Sequence, residues 1–250
     1  MRSKLGRGSR RLDPRELGLI ALSALVLGGL WYTPLAFPLR FFSILVHECS
    51  HAIACVLTGG YVDRIQLNQT GESVTFTHGG NPVAVSSAGY LGSVLFGCVC
   101  LYLSRFTRFT RYWCLAIGIL LAGMTLSLVS LFGDLFGFVY GITAGLTIGL
   151  VGWRFDKLSP YFLKFIGVAV CLFAFMDIQY NLLRGSEVLA QSDAGILQRA
   201  TGIPDILSAV CWIVIAVVTF LYFGYLSATT LEDAVVSGGT RTFKRQTMIR

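Results

Sequence analysis

The chain has 250 residues, of which 54% are hydrophobic and only 13% charged, with a formal net charge of +7. A soluble domain carries about 25% charged residues, so this composition excludes an ordinary water-soluble fold and describes an integral membrane protein. Much of the positive excess sits near the two ends, and no basic, aromatic-interleaved folded face accompanies it, so nucleic acid is not an expected partner.

In chain order, residues 1–16 form a basic tail with Arg2, Lys4, Arg7, Arg10, Arg11 and Arg15 against Asp13 and Glu16. Such a tail favours the cytoplasmic side and anionic headgroups. An apolar run from about Leu17 to Leu35 follows without a small-x-small cleavage site, and reads as a retained anchor. Spans of about 20 apolar residues are met by windows at about 17–37, 39–58, 82–103, 113–132, 135–153, 161–183 and 206–227. They predict an all-α polytopic membrane protein of six to seven transmembrane helices. Residues 228–250 form a second polar and basic tail with Arg241, Lys244, Arg245 and Arg250. Seven full spans would put the tails on opposite sides. Six spans plus a re-entrant or broken helix would put both inside, and that arrangement is favoured.

The second window contains His47-Glu48-Cys49-Ser50-His51, and it uses two of the three histidines in the chain. Positions i and i+4 share a helix face, so both imidazoles point the same way, with Glu48 beside them. Two neutral imidazoles supply half of a tetrahedral zinc site, and the carboxylate can take a proton from an activated water. The plainer alternative is a hydrogen-bonded core histidine with Glu48 as partner. Three such groups are costly in lipid without a metal or a function to retain them. Pro38 marks a break before this helix.

Between spans two and three, Tyr61–Leu67 and Ser73–His78 alternate apolar and polar residues around a turn at 68–72, which predicts a β-hairpin over 61–78. Its edge could pair with an extended peptide, or it could be an ordinary surface hairpin. His78 reads as a hairpin residue. In the fifth span Gly133, Gly137, Gly141, Gly145 and Gly149 recur every fourth residue, a face for close helix approach within the chain or in an oligomer. Cys49, Cys55, Cys98, Cys100, Cys114, Cys171 and Cys211 lie in apolar stretches without a C-x-x-C pair and read as small buried hydrophobes.

The order of motifs resembles a known family. The His47–His51 motif is followed by Thr58-Gly59-Gly60, the hairpin, Ser86-Ser87-Ala88-Gly89-Tyr90-Leu91-Gly92, then Ser192-Asp193-Ala194 and Thr201-Gly202-Ile203-Pro204. Over residues 40–205 this is similar to the site-2-protease-type intramembrane zinc metallopeptidases, in their compact B-like branch. The resemblance implies Zn²⁺ held by His47, His51 and a third ligand, with Glu48 as general base. The L-D-G and N-P-D-G segments that carry the third ligand in other members are missing here, and Asn81-Pro82 leads into Val83. Asp193 matches the B-like S-D-A pattern and is the expected ligand, although with Ser192 it could simply start a helix. Asp177, in an apolar helix, is the alternative ligand, because an unpaired carboxylate there is expensive. Asp134 is a third candidate, which could equally be a helix-start carboxylate. Gly89 and Gly92 are expected to let their helix approach the metal helix closely.

The resemblance therefore implies a multi-pass membrane metalloprotease, in the cell membrane if the source is bacterial. Residues 17–227 would be the membrane-embedded domain, the bilayer its surroundings and a membrane protein or peptide its substrate. Two other readings stay open: a metal-binding membrane scaffold without proteolysis, and a proton-conducting transporter. No paired repeat of broken helices supports the latter.

Overall fold

The computed structural model describes residues 10–68 and 73–231. The first tail up to residue 9, the hairpin turn at 69–72 and the second tail from 232 lie outside the described residues. In chain order a short strand β1 (Arg10–Leu12) leads into α1 (Pro14–Leu30), and a 3-10 turn over Pro34–Ala36 leads into α2 (Phe37–Leu57). The strands β2 (Tyr61–Leu67) and β3 (Ser73–His78) precede α3 (Pro82–Leu103), α4 (Thr110–Leu128), α5 (Leu135–Arg154) and α6 (Ser159–Leu183). Two short helices, α7 (Ser186–Gln191) and α8 (Asp193–Thr201), come before α9 (Asp205–Ala228) and β4 (Thr229–Leu231). The protein is a multi-pass integral membrane protein. Six helices are long and apolar enough to cross a bilayer: Pro34–Leu57, Pro82–Leu103, Thr110–Leu128, Leu135–Arg154, Ser159–Leu183 and Asp205–Ala228.

α1 differs from the expected first span. It has 17 residues and stops at Leu30, short of the end of the apolar run. Asp13 caps it by accepting from the Arg15 amide at 3.0 Å. Near its start Glu16 pairs with the buried Lys164 of α6, a cation that the hydropathy pattern of span six conceals. The fourth window also shifts. α4 ends at Leu128 because Val129 turns extended and forms a parallel bridge with Ile65 of β2.

Of the glycine series, Gly133 lies in the turn before α5, and Gly141 and Gly145 on α5 face α4 within the chain. A Cβ on Gly145 would come 2.7 Å from the Gly118 carbonyl oxygen of α4, and one on Gly141 would strike Thr125. Without a hydrophobic driving force in lipid, such backbone-to-backbone approach is what holds neighbouring helices together. Six cysteines are buried as expected, whereas Cys211 is exposed on α9. The outward face of a span meets lipid, so an apolar residue there need not be buried within the protein.

The hairpin pairs antiparallel, with Tyr61 opposite His78, Ile65 opposite Thr75 and Leu67 opposite Ser73. A register shift at Asp63 keeps Val62 on the same side as Ile65 and Leu67, as an inserted bulge residue does. Ile65 and Leu67 are each 1% exposed and join the core between the spans. His78 stacks on Tyr61 with ring centroids 4.8 Å apart. The hairpin is therefore docked into the helical body.

Candidate metal centre

α2 runs antiparallel to α3, and the middle of both is where polar groups collect. His47, Glu48 and His51 are buried at 9%, 5% and 7% exposure. The turn-to-turn spacing brings the two imidazoles together, with Nε2 of His47 3.1 Å from Nε2 of His51. Asp193, the first residue of α8, completes the group. Its Oδ2 lies 3.0 Å from His47 Nε2 and 3.4 Å from His51 Nε2. Ser192 precedes it without a side-chain cap bond, so the carboxylate of Asp193 serves the histidines. Burial opposes its charge, yet His51 and His47 beside it hold the carboxyl well below the usual carboxylate range.

These three donor atoms fit a metal ion. Ligands about 2.0–2.1 Å from a tetrahedral ion lie about 3.3–3.4 Å from one another, close to the edges observed here. Proton counting points the same way. His51 donates its Nδ1 proton to the Val85 carbonyl at 2.7 Å, so a neutral His51 presents the lone pair of Nε2. Such a bond behind a ligand is how proteins fix the metal-binding tautomer. His47 Nδ1 is buried without a hydrogen-bond partner among the described residues. Two imidazole nitrogens and a carboxylate oxygen thus converge on one point, an arrangement suited to a cation. Among the described residues, His47, His51 and Asp193 form the group of ligand-type side chains able to hold a metal ion.

α3 closes the site from one side. A Cβ on Gly89 would run into Nε2 of both histidines, and one on Gly92 would meet Ser50. Tyr90 sets its ring edge-on to His47 at 4.7 Å. Its hydroxyl donates to Asp177 Oδ2 at 2.7 Å, and the Asn181 amide donates to both, at 3.1 Å and 3.2 Å. Asp177, the alternative ligand of the sequence reading, thus takes hydrogen bonds from Tyr90 and Asn181 behind His47 and stands outside the ligand group. Asp134 caps α5 through the Gly137 amide at 2.8 Å and accepts from the Leu67 amide at 2.5 Å, tying β2 to α5. Glu48 Oε2 accepts from Thr75 of β3 at 2.6 Å.

Sequence reasoning missed four contributors: Thr75, Val85, Tyr90 and Asn181. Asn181 was the most accessible of them, since it stands four residues from Asp177 on the same helix face. Tyr90 lies between Gly89 and Gly92, and in that segment only the glycines carry a packing signal. The Val85 contribution is a backbone carbonyl and leaves no side-chain signal.

Residues 19–223 match the family model described as Peptidase M50B-like. No curated protein and no solved structure matches the chain.

Proposed function

Because the chain belongs to the Peptidase M50B-like family, we propose that it is a zinc-dependent metalloprotease that hydrolyses peptide bonds in or near the bilayer. The observation that carries this reading is the convergence of His47 Nε2, His51 Nε2 and Asp193 Oδ2 at 3.0–3.4 Å beside a buried Glu48. His47, His51 and Asp193 would hold Zn²⁺, the ion suited to two imidazoles and a carboxylate with a fourth position left open. Zinc supplies Lewis-acid polarisation of the scissile carbonyl and acidifies water at neutral pH.

Glu48 is the general base. Its carboxylate takes the proton of the attacking water and passes it to the leaving amine. The Val85 carbonyl orients His51, and the Asp193 carboxylate would offset part of the charge of the ion. The substrate is a membrane protein or peptide, and it must leave helical form locally, since helical peptide bonds are shielded and already hydrogen-bonded. The Val129 bridge sits on β2, so β3 offers the hairpin's other edge to an extended segment. Residues 17–227 act as one catalytic unit in the bilayer, flanked by basic tails.

Metal analysis of detergent-purified protein tests the reading. One zinc per chain is expected, lost in His47→Ala and in Asp193→Ala. Glu48→Gln should keep the zinc and lose cleavage. Zinc-free, well-folded wild type, or a fully active Glu48→Gln, would overturn it.

A further inference from the structure

We infer that Thr75, on the hairpin, is the positioning residue of Glu48. This rests on the reading of Glu48 as the general base and adds a residue that neither the motif nor the family assignment supplies. The Thr75 hydroxyl stands 2.6 Å from Glu48 Oε2 and 3.1 Å from the Glu48 carbonyl oxygen. It has one proton to give. The shorter contact has the length of a hydroxyl bonded to a carboxylate, about 2.5–2.7 Å, so the hydroxyl donates to Oε2. Among the described residues this is the hydrogen bond that the Glu48 side chain receives.

A carboxylate on two flexible methylenes needs a fixed partner if it is to meet the attacking water in one orientation. Thr75 is fixed. Its cross-strand neighbour Ile65 is anchored in the core at 1% exposure. The far end of β2 is tied to α5 through Asp134. At the near end Gly60 and Gly80 pack so closely that a Cβ on Gly60 would lie 2.7 Å from the Gly80 amide nitrogen. The hairpin thus holds the hydroxyl in place from an element separate from the helix that carries Glu48.

Thr75→Val keeps the β-branched shape and removes only the donor; Thr75→Ser keeps the donor. Both are purified in detergent beside wild type and Glu48→Gln, and cleavage of a pool of single-span peptides in micelles is followed by mass spectrometry. A charge-assisted hydrogen bond of this kind predicts that Thr75→Val lowers kcat about tenfold to hundredfold, with KM within about threefold and one zinc per chain. Thr75→Ser should stay within about threefold of wild type. Wild-type kcat in Thr75→Val, or equal losses in both variants, overturns the inference while Glu48→Gln remains inactive.

A fully active Glu48→Gln, or wild type that cuts nothing, instead overturns the protease reading. Infrared spectra decide the hydrogen bond without turnover. The carboxylate band removed by Glu48→Gln should shift in Thr75→Val and stay in Thr75→Ser, and an unshifted band in Thr75→Val overturns the inference.

Discussion

Asp193 and Asp177 are two carboxylates near one histidine, and their neighbours separate their roles. Asp193 faces two imidazole nitrogens with no hydroxyl or amide donor in between. Asp177 takes hydrogen bonds from Tyr90 and Asn181, and the Tyr90 ring that it holds lies edge-on to His47. Asp177→Asn should therefore keep one zinc per chain. Its affinity should fall by about tenfold to hundredfold, the usual cost of disturbing groups that orient a ligand. Competition with a calibrated chelator reads this directly, and complete loss of zinc would make Asp177 a ligand after all. The sequence displayed His47, Glu48 and His51 because i and i+4 fix a shared helix face. Asp193 stands 146 residues from His47, and no periodicity bridges that distance. It was reached by motif resemblance alone, and the choice between it and Asp177 needed coordinates.

Among the elements, the spans were legible to within a few residues wherever hydropathy decides a boundary, and misplaced where a polar contact does. α4 stops early because Val129 leaves the helix to meet Ile65, a tertiary event invisible to a hydropathy window. The hairpin was legible from its alternation, but its docking was not, since β2 packs against α2, α4 and α5, which are distant from one another in sequence. The glycine series was legible as a close-approach face, and its partner only became clear as α4. That partner makes a specific expectation. Gly145→Leu should push α4 and α5 apart, because a Cβ there already meets the Gly118 carbonyl and Ala122. A loss of about 1–3 kcal/mol, typical of overpacking, should lower thermal stability in detergent. Gly123→Ala is the control: a Cβ there meets nothing within 4 Å, and its melting temperature should equal or slightly exceed that of wild type, as alanine favours the helix.

For the whole molecule, the placement of the ends follows from a few contacts. β1 pairs antiparallel with β4, Leu12 opposite Thr229, and the Asp13 amide donates to the Ala228 carbonyl at 2.7 Å. The start of α1 and the end of α9 therefore share one side. Ser227 donates to the Leu101 carbonyl at 3.0 Å and Arg105 to the Thr229 carbonyl at 2.8 Å, so the end of α3 joins them. Thr110 and Ser159 touch at 2.8 Å, which adds the starts of α4 and α6. α2 lies antiparallel to α3, with Phe42 by Phe96 and His51 by Val85, so it too starts towards that side. α1 has 17 residues and is not among the six helices long and apolar enough to cross a bilayer, and those six form an even set. This removes a conflict that seven full crossings create. Arg105, Arg108 and Arg111 follow α3 on the side shared by the start of α1 and the end of α9, and an excess of Lys and Arg in short loops predicts that this side is cytoplasmic. Reporters fused at the two termini and inserted between Arg105 and Arg108 should all report the cytoplasm. One inserted in the hairpin turn should report the opposite side. Termini on opposite sides would mean that α1 crosses fully, and would break the β1–β4 pairing.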